Sequence, residues 1–125
     1  MGKILRRIKI EGKDTVVLFD TGALHNFILR TLIPKDAVFI ENSPPSEAYV
    51  GPIKVRIDGW YLLEVKIDNK KFGTIFVPVD DLGYDIDTNG NRVKLEAIIG
   101  VIGMEQAGII LDPASGKIHF RELVW

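Results

Sequence analysis

The sequence predicts an all-β fold, a closed or folded-over sheet with one short helix near the C-terminus. Three observations carry this expectation. Apolar and polar residues alternate with a period of two through most of the chain, and the apolar positions are rich in Val and Ile. Turn-forming clusters interrupt these runs at short intervals, the spacing of a sandwich or barrel. Only two short stretches, 26–32 and 101–107, have any helical character. A chain of 125 residues, 46% hydrophobic and 26% charged, fits a single globular domain, 1–125.

Taken in order, residues 4–10 mix apolar and basic side chains, and 13–20 end in the apolar run Val16-Val17-Leu18-Phe19. Glu11-Gly12 between them is a hairpin signal. Further strands are expected over 37–41, 48–50, 53–58, 61–68, 71–79, 94–99, 108–111 and 117–120. The breaks carry turn chemistry: Asn42-Ser43-Pro44-Pro45, Asp58-Gly59, Asp68-Asn69, Asp80 to Gly83, Asn89-Gly90 and Asp112-Pro113. Gly108 is a plausible stop for the second helical stretch. Both helices are too short to stand without tertiary packing.

Composition removes several functional classes. Sixteen basic against seventeen acidic residues give a formal charge of -1. That balance is unlike a nonspecific nucleic-acid binder, which needs clustered cations to displace counterions. Cysteine is absent, so disulfides, thiolate metal sites and cysteine nucleophiles are excluded. No apolar run approaches the roughly 20 residues that span a bilayer. Early charge in Lys3, Arg6 and Arg7 is not followed by a signal-peptide core, and Arg6 stands where a myristoylation signal wants Ser or Thr. The expected location is the cytoplasm, with no membrane and no nucleic-acid partner.

The most informative segment is Val17-Leu18-Phe19-Asp20-Thr21-Gly22-Ala23. An apolar strand ends abruptly in a carboxylate, a hydroxyl and a glycine. Asp20 has the chemistry of a general acid or base, the Thr21 hydroxyl both donates and accepts, and Gly22 lets backbone turn tightly beside a ligand. A plain strand-ending turn uses the same residue types, so the tripeptide alone leaves both readings open. A second apolar strand ending in glycine, Ala97-Ile98-Ile99-Gly100, precedes the second helical stretch.

Together these segments resemble the retropepsin-like aspartic proteases, in which an apolar-apolar-Gly strand threads beside the catalytic Asp-Thr-Gly loop and its glycine makes room. Between them, Tyr49-Val50-Gly51-Pro52-Ile53-Lys54-Val55-Arg56 is similar to the flap of retroviral proteases, a hairpin that closes over substrate. The resemblance covers nearly the whole chain. It implies a retropepsin-like closed β-barrel and an aspartic endopeptidase acting on extended peptides. Asp20, Thr21 and Gly22 would form the catalytic loop. Ala23, Val50, Gly51 and Ile99 would contact substrate, although Ile99 fits a core position equally well. No cofactor or metal is required.

The chain holds one Asp-Thr-Gly and no second copy, whereas the family's chemistry needs two facing loops. The implied assembly is a homodimer about a two-fold axis, each subunit giving one Asp20. Two carboxylates about 3 Å apart repel by roughly 5–6 kcal/mol at an effective dielectric near 20, so such a pair shares one proton. The charged member would take a proton from water, which attacks the scissile carbonyl while the protonated member donates to its oxygen. Thr21 would bond across the axis into the opposite loop, and the segments 3–10 and 119–125, with Trp125 at the end, could pair between subunits. A peptide-binding module of the same fold, dimeric but without useful activity, is the alternative.

Departures from the family are specific. Retroviral proteases place an acidic residue after Asp-Thr-Gly-Ala and a basic one after the apolar-apolar-Gly strand; Leu24 and Val101 stand there instead. Losing both charges together avoids stranding one. His25 is within reach of the groove in sequence, and His119 has no useful partner. The stretch 80–96 is longer than in retroviral proteases. Within it, Asp85, Asp87 and Asn89 with Gly90 and Glu96 match an EF-hand calcium loop. The favoured alternative is a hairpin turning at Asn89-Gly90, with Tyr84, Ile86 and Thr88 facing Asn91, Val93 and Leu95.

Overall fold

The first strand, β1 (Lys3–Ile10), turns back into β2 (Lys13–Asp20) in strict antiparallel register from Ile10↔Lys13 to Lys3↔Asp20. Glu11 and Gly12 both have positive φ, 51° and 75°, the two-residue turn that matches strand twist. In this computed structural model, which describes residues 2–121, the remaining elements are β3 (Phe27–Leu29), a single 3-10 turn (Arg30–Leu32), β4 (Val38–Val50), β5 (Ile53–Ile67), β6 (Lys70–Val79), β7 (Tyr84–Ile86), β8 (Arg92–Lys94), β9 (Ala97–Ile99), α1 (Val101–Ala107), β10 (Ile109–Asp112) and β11 (Lys117–Phe120). The fold is all-β with one short helix, as expected. No helix among the described residues is long and apolar enough to cross a membrane.

Seven strands form the main sheet in the order β1-β2-β9-β3-β6-β5-β4. β1 also meets β5 through Lys9↔Lys66 and Ile10↔Val65, so the sheet folds over and joins itself unevenly, by two residue pairs. Alternation sorts the apolar side chains into two clusters. Val17, Phe19, Leu63, Val65, Phe76 and Ile99 lie in the larger one. Val16, Leu18, Phe27, Ile57, Val77 and Ile98 lie in the other. β2 is therefore buried on both faces, which explains its unbroken apolar run.

The expected helix over 26–32 is instead β3 and one 3-10 turn. Phe27, Ile28 and Leu29 are all buried, pairing with β6 on one side and β9 on the other. A short continuous apolar run does not distinguish a buried strand from a helix, and two waiting strands decide the matter. Two expected breaks also vanish. Asn42 to Pro45 lie inside β4, where the register shifts between Glu41 and Ser46. As the last strand in the order, β4 tolerates the missing proline N–H groups. Asp58-Gly59 lies inside β5, where a Cβ on Gly59 would collide with the Phe39 ring and the Ile40 carbonyl. This glycine serves close packing and makes no turn. The expected strand 94–99 is broken: Lys94 ends β8, Leu95 and Glu96 lie between strands, and 97–99 form β9. The helix α1 has the expected bounds and ends at Gly108 in the left-handed conformation, φ 70°.

Candidate functional site

β2 and β9 run parallel, with Val17↔Ala97, Leu18↔Ile98 and Phe19↔Ile99 in register, so both apolar strands deliver their ends to one place. At the end of β2 the chain folds tightly. The Gly22 N–H donates to Asp20 Oδ1 at 2.8 Å, and the Ala23 N–H donates to the Asp20 carbonyl at 3.1 Å. The free N–H groups at the start of α1 are satisfied by this same loop. Val101 N–H donates to the Ala23 carbonyl at 2.8 Å and Ile102 N–H to the Leu24 carbonyl at 3.1 Å. Gly100 makes that approach possible, because a Cβ there would stand 2.5 Å from the His25 carbonyl oxygen and 2.6 Å from that of Ala23.

A buried amide locks the junction. Asn26 is 3% exposed, and its Oδ1 accepts the Gly100 N–H at 3.0 Å. Its Nδ2 donates to the Ile75 carbonyl at 2.9 Å and to Thr74 Oγ1 at 3.1 Å. Thr74, also buried, donates a hydrogen bond from its own hydroxyl to Gln106 Oε1 at 2.7 Å. Gly103 packs against the Asn26 amide with no room for a side chain. One side chain thus ties the loop to β6, β9 and α1. Sequence reasoning missed it. The available signal was a lone amide opening the apolar run Phe27-Ile28-Leu29, a place where a buried polar group must be fully bonded.

Thr21 is exposed and engaged within its own chain. Its N–H donates to the Gly2 carbonyl at 3.0 Å. Its Oγ1 accepts the Gly2 N–H at 2.8 Å and lies 3.2 Å from the Gly2 carbonyl oxygen. Gly2 in turn lies against Pro113.

Strand parity decides which side chains accompany Asp20. Asp20, Leu18 and Val16 project from the same face of β2. Leu18 and Val16 belong to the second apolar cluster, which is bordered by Ala23 and by Ala48, Val50 and Val55 of the β4–β5 hairpin. That hairpin has the form expected of the flap. Val50 pairs with Ile53 across a two-residue turn in which Gly51 has φ 59°. Gly51 is exposed, as are Tyr49 and Ile53. Ile99 does not share this face. It is fully buried among Phe19 and Met104, in the core position that the sequence left open, and its neighbour Ile98, paired with Leu18, lies on the Asp20 face.

Leu24 is 59% exposed and Ile102 42% exposed, an apolar pair beside the loop. His25 is half-buried, edge-on to Phe27 with ring centroids 6.4 Å apart, and borders a cavity of about 100 Å³ with Trp60 and Ile75. His119 is exposed on β11 opposite Ile110. Trp125 and the end of the expected 119–125 pairing segment lie outside the described residues.

The stretch after Asp80 forms the expected hairpin, with its register one residue from expectation: Tyr84↔Lys94, Asp85↔Val93 and Ile86↔Arg92. The loop itself supplies the difference. Asp87 Oδ1 accepts the N–H groups of Asn89 and Asn91 at 2.9 and 2.8 Å, widening the turn. The calcium-loop pattern is spread apart by the same fold. Glu96, its twelfth position, points to β2 and accepts the Val16 N–H at 2.9 Å through Oε1. Among the described residues, no group of three or more His, Asp or Glu is placed to hold a metal ion. No family model matches this chain, and no curated protein matches it.

Proposed function

We propose that the chain is the subunit of a homodimeric, retropepsin-like aspartic endopeptidase, with Asp20 of each subunit forming the catalytic pair. The observation that carries this reading is the position of Asp20. It ends a strand flanked in parallel by the Gly100 strand, on the face that the β4–β5 hairpin borders. The exposed pair Leu24 and Ile102 beside the loop supports an interface there, since apolar side chains next to a polar turn gain from cover by a partner.

In the proposed mechanism the two Asp20 carboxylates hold one proton. The ionised one removes a proton from water, and the other donates to the scissile carbonyl oxygen as the water adds. The gem-diol then collapses: one carboxyl gives its proton to the leaving nitrogen as the C–N bond breaks, and the other, a carboxylate, takes a proton from a gem-diol hydroxyl. Gly22 N–H, bonded to Asp20 Oδ1 at 2.8 Å, orients the carboxylate and leaves its second oxygen for water or the partner's carboxyl. An extended peptide would lie between the loop and the flap, adding strand-like hydrogen bonds. Thr21 must exchange its Gly2 partners for the opposite loop as the dimer forms. Its present bonding within one chain is what favours the second reading, a peptide-binding module without hydrolytic function.

Incubating wild type and Asp20→Asn with a mixed peptide library at several pH values separates the two. Hydrolysis by wild type, at least about 100-fold reduced in the variant, supports the protease. Equal traces from both proteins refute it. Sedimentation at micromolar concentration tests the assembly, and a strict monomer would leave the site incomplete.

A further inference from the structure

The strand β4 ends the main sheet, and its outer edge pairs with no strand among the described residues. Edges of this kind are commonly guarded by charge or proline, because free main-chain groups recruit further strands. β1, at the other end of the order, carries Lys3, Arg6, Arg7 and Lys9, and β4 itself carries Pro44 and Pro45 in its middle. The first residues of β4 lack both devices. Val38, Phe39 and Ile40 are consecutive, large and apolar, at 58%, 47% and 41% exposure. The Ile40 carbonyl oxygen is turned to β5, where it would meet a Cβ on Gly59. Alternation along the ladder then turns the N–H and C=O of Phe39 outward.

The pattern of exposure identifies the shape of the occupant. Val38 and Ile40 project from one face, beside Leu62, which pairs with Val38 and is 45% exposed. Phe39 projects from the other face, against Tyr61, with ring centroids 5.0 Å apart. A partner laid on one face leaves the opposite one in water. A strand added to the edge carries side chains on both faces and covers all three residues, while its main chain meets that of Phe39. The sequence of the edge suits a second copy of itself. Antiparallel pairing about a two-fold axis through Phe39 sets Val38 against the partner's Ile40, twice, and Phe39 against the partner's Phe39. No charge falls within these pairs, and at a formal charge of -1 two copies approach with little repulsion.

We propose that residues 38–40 form a self-association edge, pairing antiparallel with the same strand of a second copy. Ile40 and Val50 stand toward opposite ends of β4, separated by roughly 30 Å of strand, so this contact is distinct from the pairing of Asp20 loops and does not depend on the protease reading. Two variants, Val38→Lys and Ile40→Glu, test the register by sedimentation. Each alone sets a charge against an aliphatic side chain at both crossings, and self-association is expected to weaken at least about tenfold. Mixed in equal amounts, the two place lysine opposite glutamate at one crossing and keep the native aliphatic contact at the other, so association is expected to return. The reversed pair, Val38→Glu with Ile40→Lys, is expected to behave alike. Both positions are exposed, so the changes spare the core, and a thermal melt checks this. If the Asp20 loops pair as well, wild type exceeds a dimer and each variant falls back to one; if they do not, wild type is a dimer and each variant a monomer. Wild type no larger than the single variants, or a mixture that stays as dispersed as its components, overturns the proposal.

Discussion

Replacing Asn26 by alanine is expected to destabilise the fold by about 3–5 kcal/mol, a large share of the roughly 5–15 kcal/mol that holds a domain together. The figure follows from the three bonds of a side chain that is 3% exposed. The Gly100 N–H loses its acceptor in a buried position, at about 1–3 kcal/mol. The Ile75 carbonyl loses a donor, adding about 1 kcal/mol or slightly more. Thr74 keeps Gln106 as an acceptor, so its loss is smaller. The space left against Gly103 adds a packing deficit of about 1 kcal/mol. Urea unfolding followed by circular dichroism measures the change, at one fixed protein concentration because any dimer makes stability concentration-dependent. At about 4 °C per kcal/mol, the melting temperature falls by roughly 12–20 °C. Asn26→Asp should do no better: its Oδ1 still faces Gly100, but a second acceptor then faces the Ile75 carbonyl. A loss below about 1 kcal/mol for Asn26→Ala, with an unchanged denaturant slope, would refute the claim that this amide locks the loop to β6, β9 and α1.

Other expectations follow from the same geometry. Gly100→Ala drives a methyl into the carbonyls of Ala23 and His25, so a loss of about 1–3 kcal/mol is expected in the same unfolding assay, together with displacement of the Asp20 loop. Thr21→Val removes the hydroxyl that bonds Gly2 and, in the proposed dimer, the opposite loop. Sedimentation should show dimerisation weakened at least about tenfold while the subunit stays folded, and an unchanged equilibrium would count against the bonded loops. The Ser115 hydroxyl, 2.7 Å from Asp112 Oδ2, holds that exposed turn's carboxyl below its ordinary range. Such a group contributes stability above the unfolded carboxyl's pKa, about 3.9, and loses it as pH falls through the lower folded value. Ser115→Ala should move the Asp112 titration upward in a carboxyl-detected NMR experiment.

Much of the architecture was legible because its signals are local. Alternation and turn residues placed β1, β2 and β11 closely, and Gly108 marked the end of α1 at the observed residue. The apolar strand ending in Asp20-Thr21-Gly22, the second ending in Gly100, and a hairpin turning at Gly51 are likewise properties of short segments. What the pattern could not reveal is which segments meet. Phe27 to Leu29 read as helix until β6 and β9 were there to receive them. Asp58-Gly59 read as a turn until the Phe39 ring lay against the glycine.

The same division runs through the candidate site. Residue types marked Asp20, Thr21 and Gly22 as chemically capable but left a plain strand-ending turn open, and their expected catalytic role came with the family resemblance. Tertiary structure decided the rest. It turned Ile98 toward the Asp20 face and Ile99 into the core, engaged Thr21 with Gly2, sent Glu96 to β2 and away from the hairpin loop, and gave Asn26 its three partners. A two-residue period specifies that neighbours point to opposite sides, and says nothing of what waits on either side. Those identities come from contacts between residues distant in the chain, which exist only once the sheet has folded over.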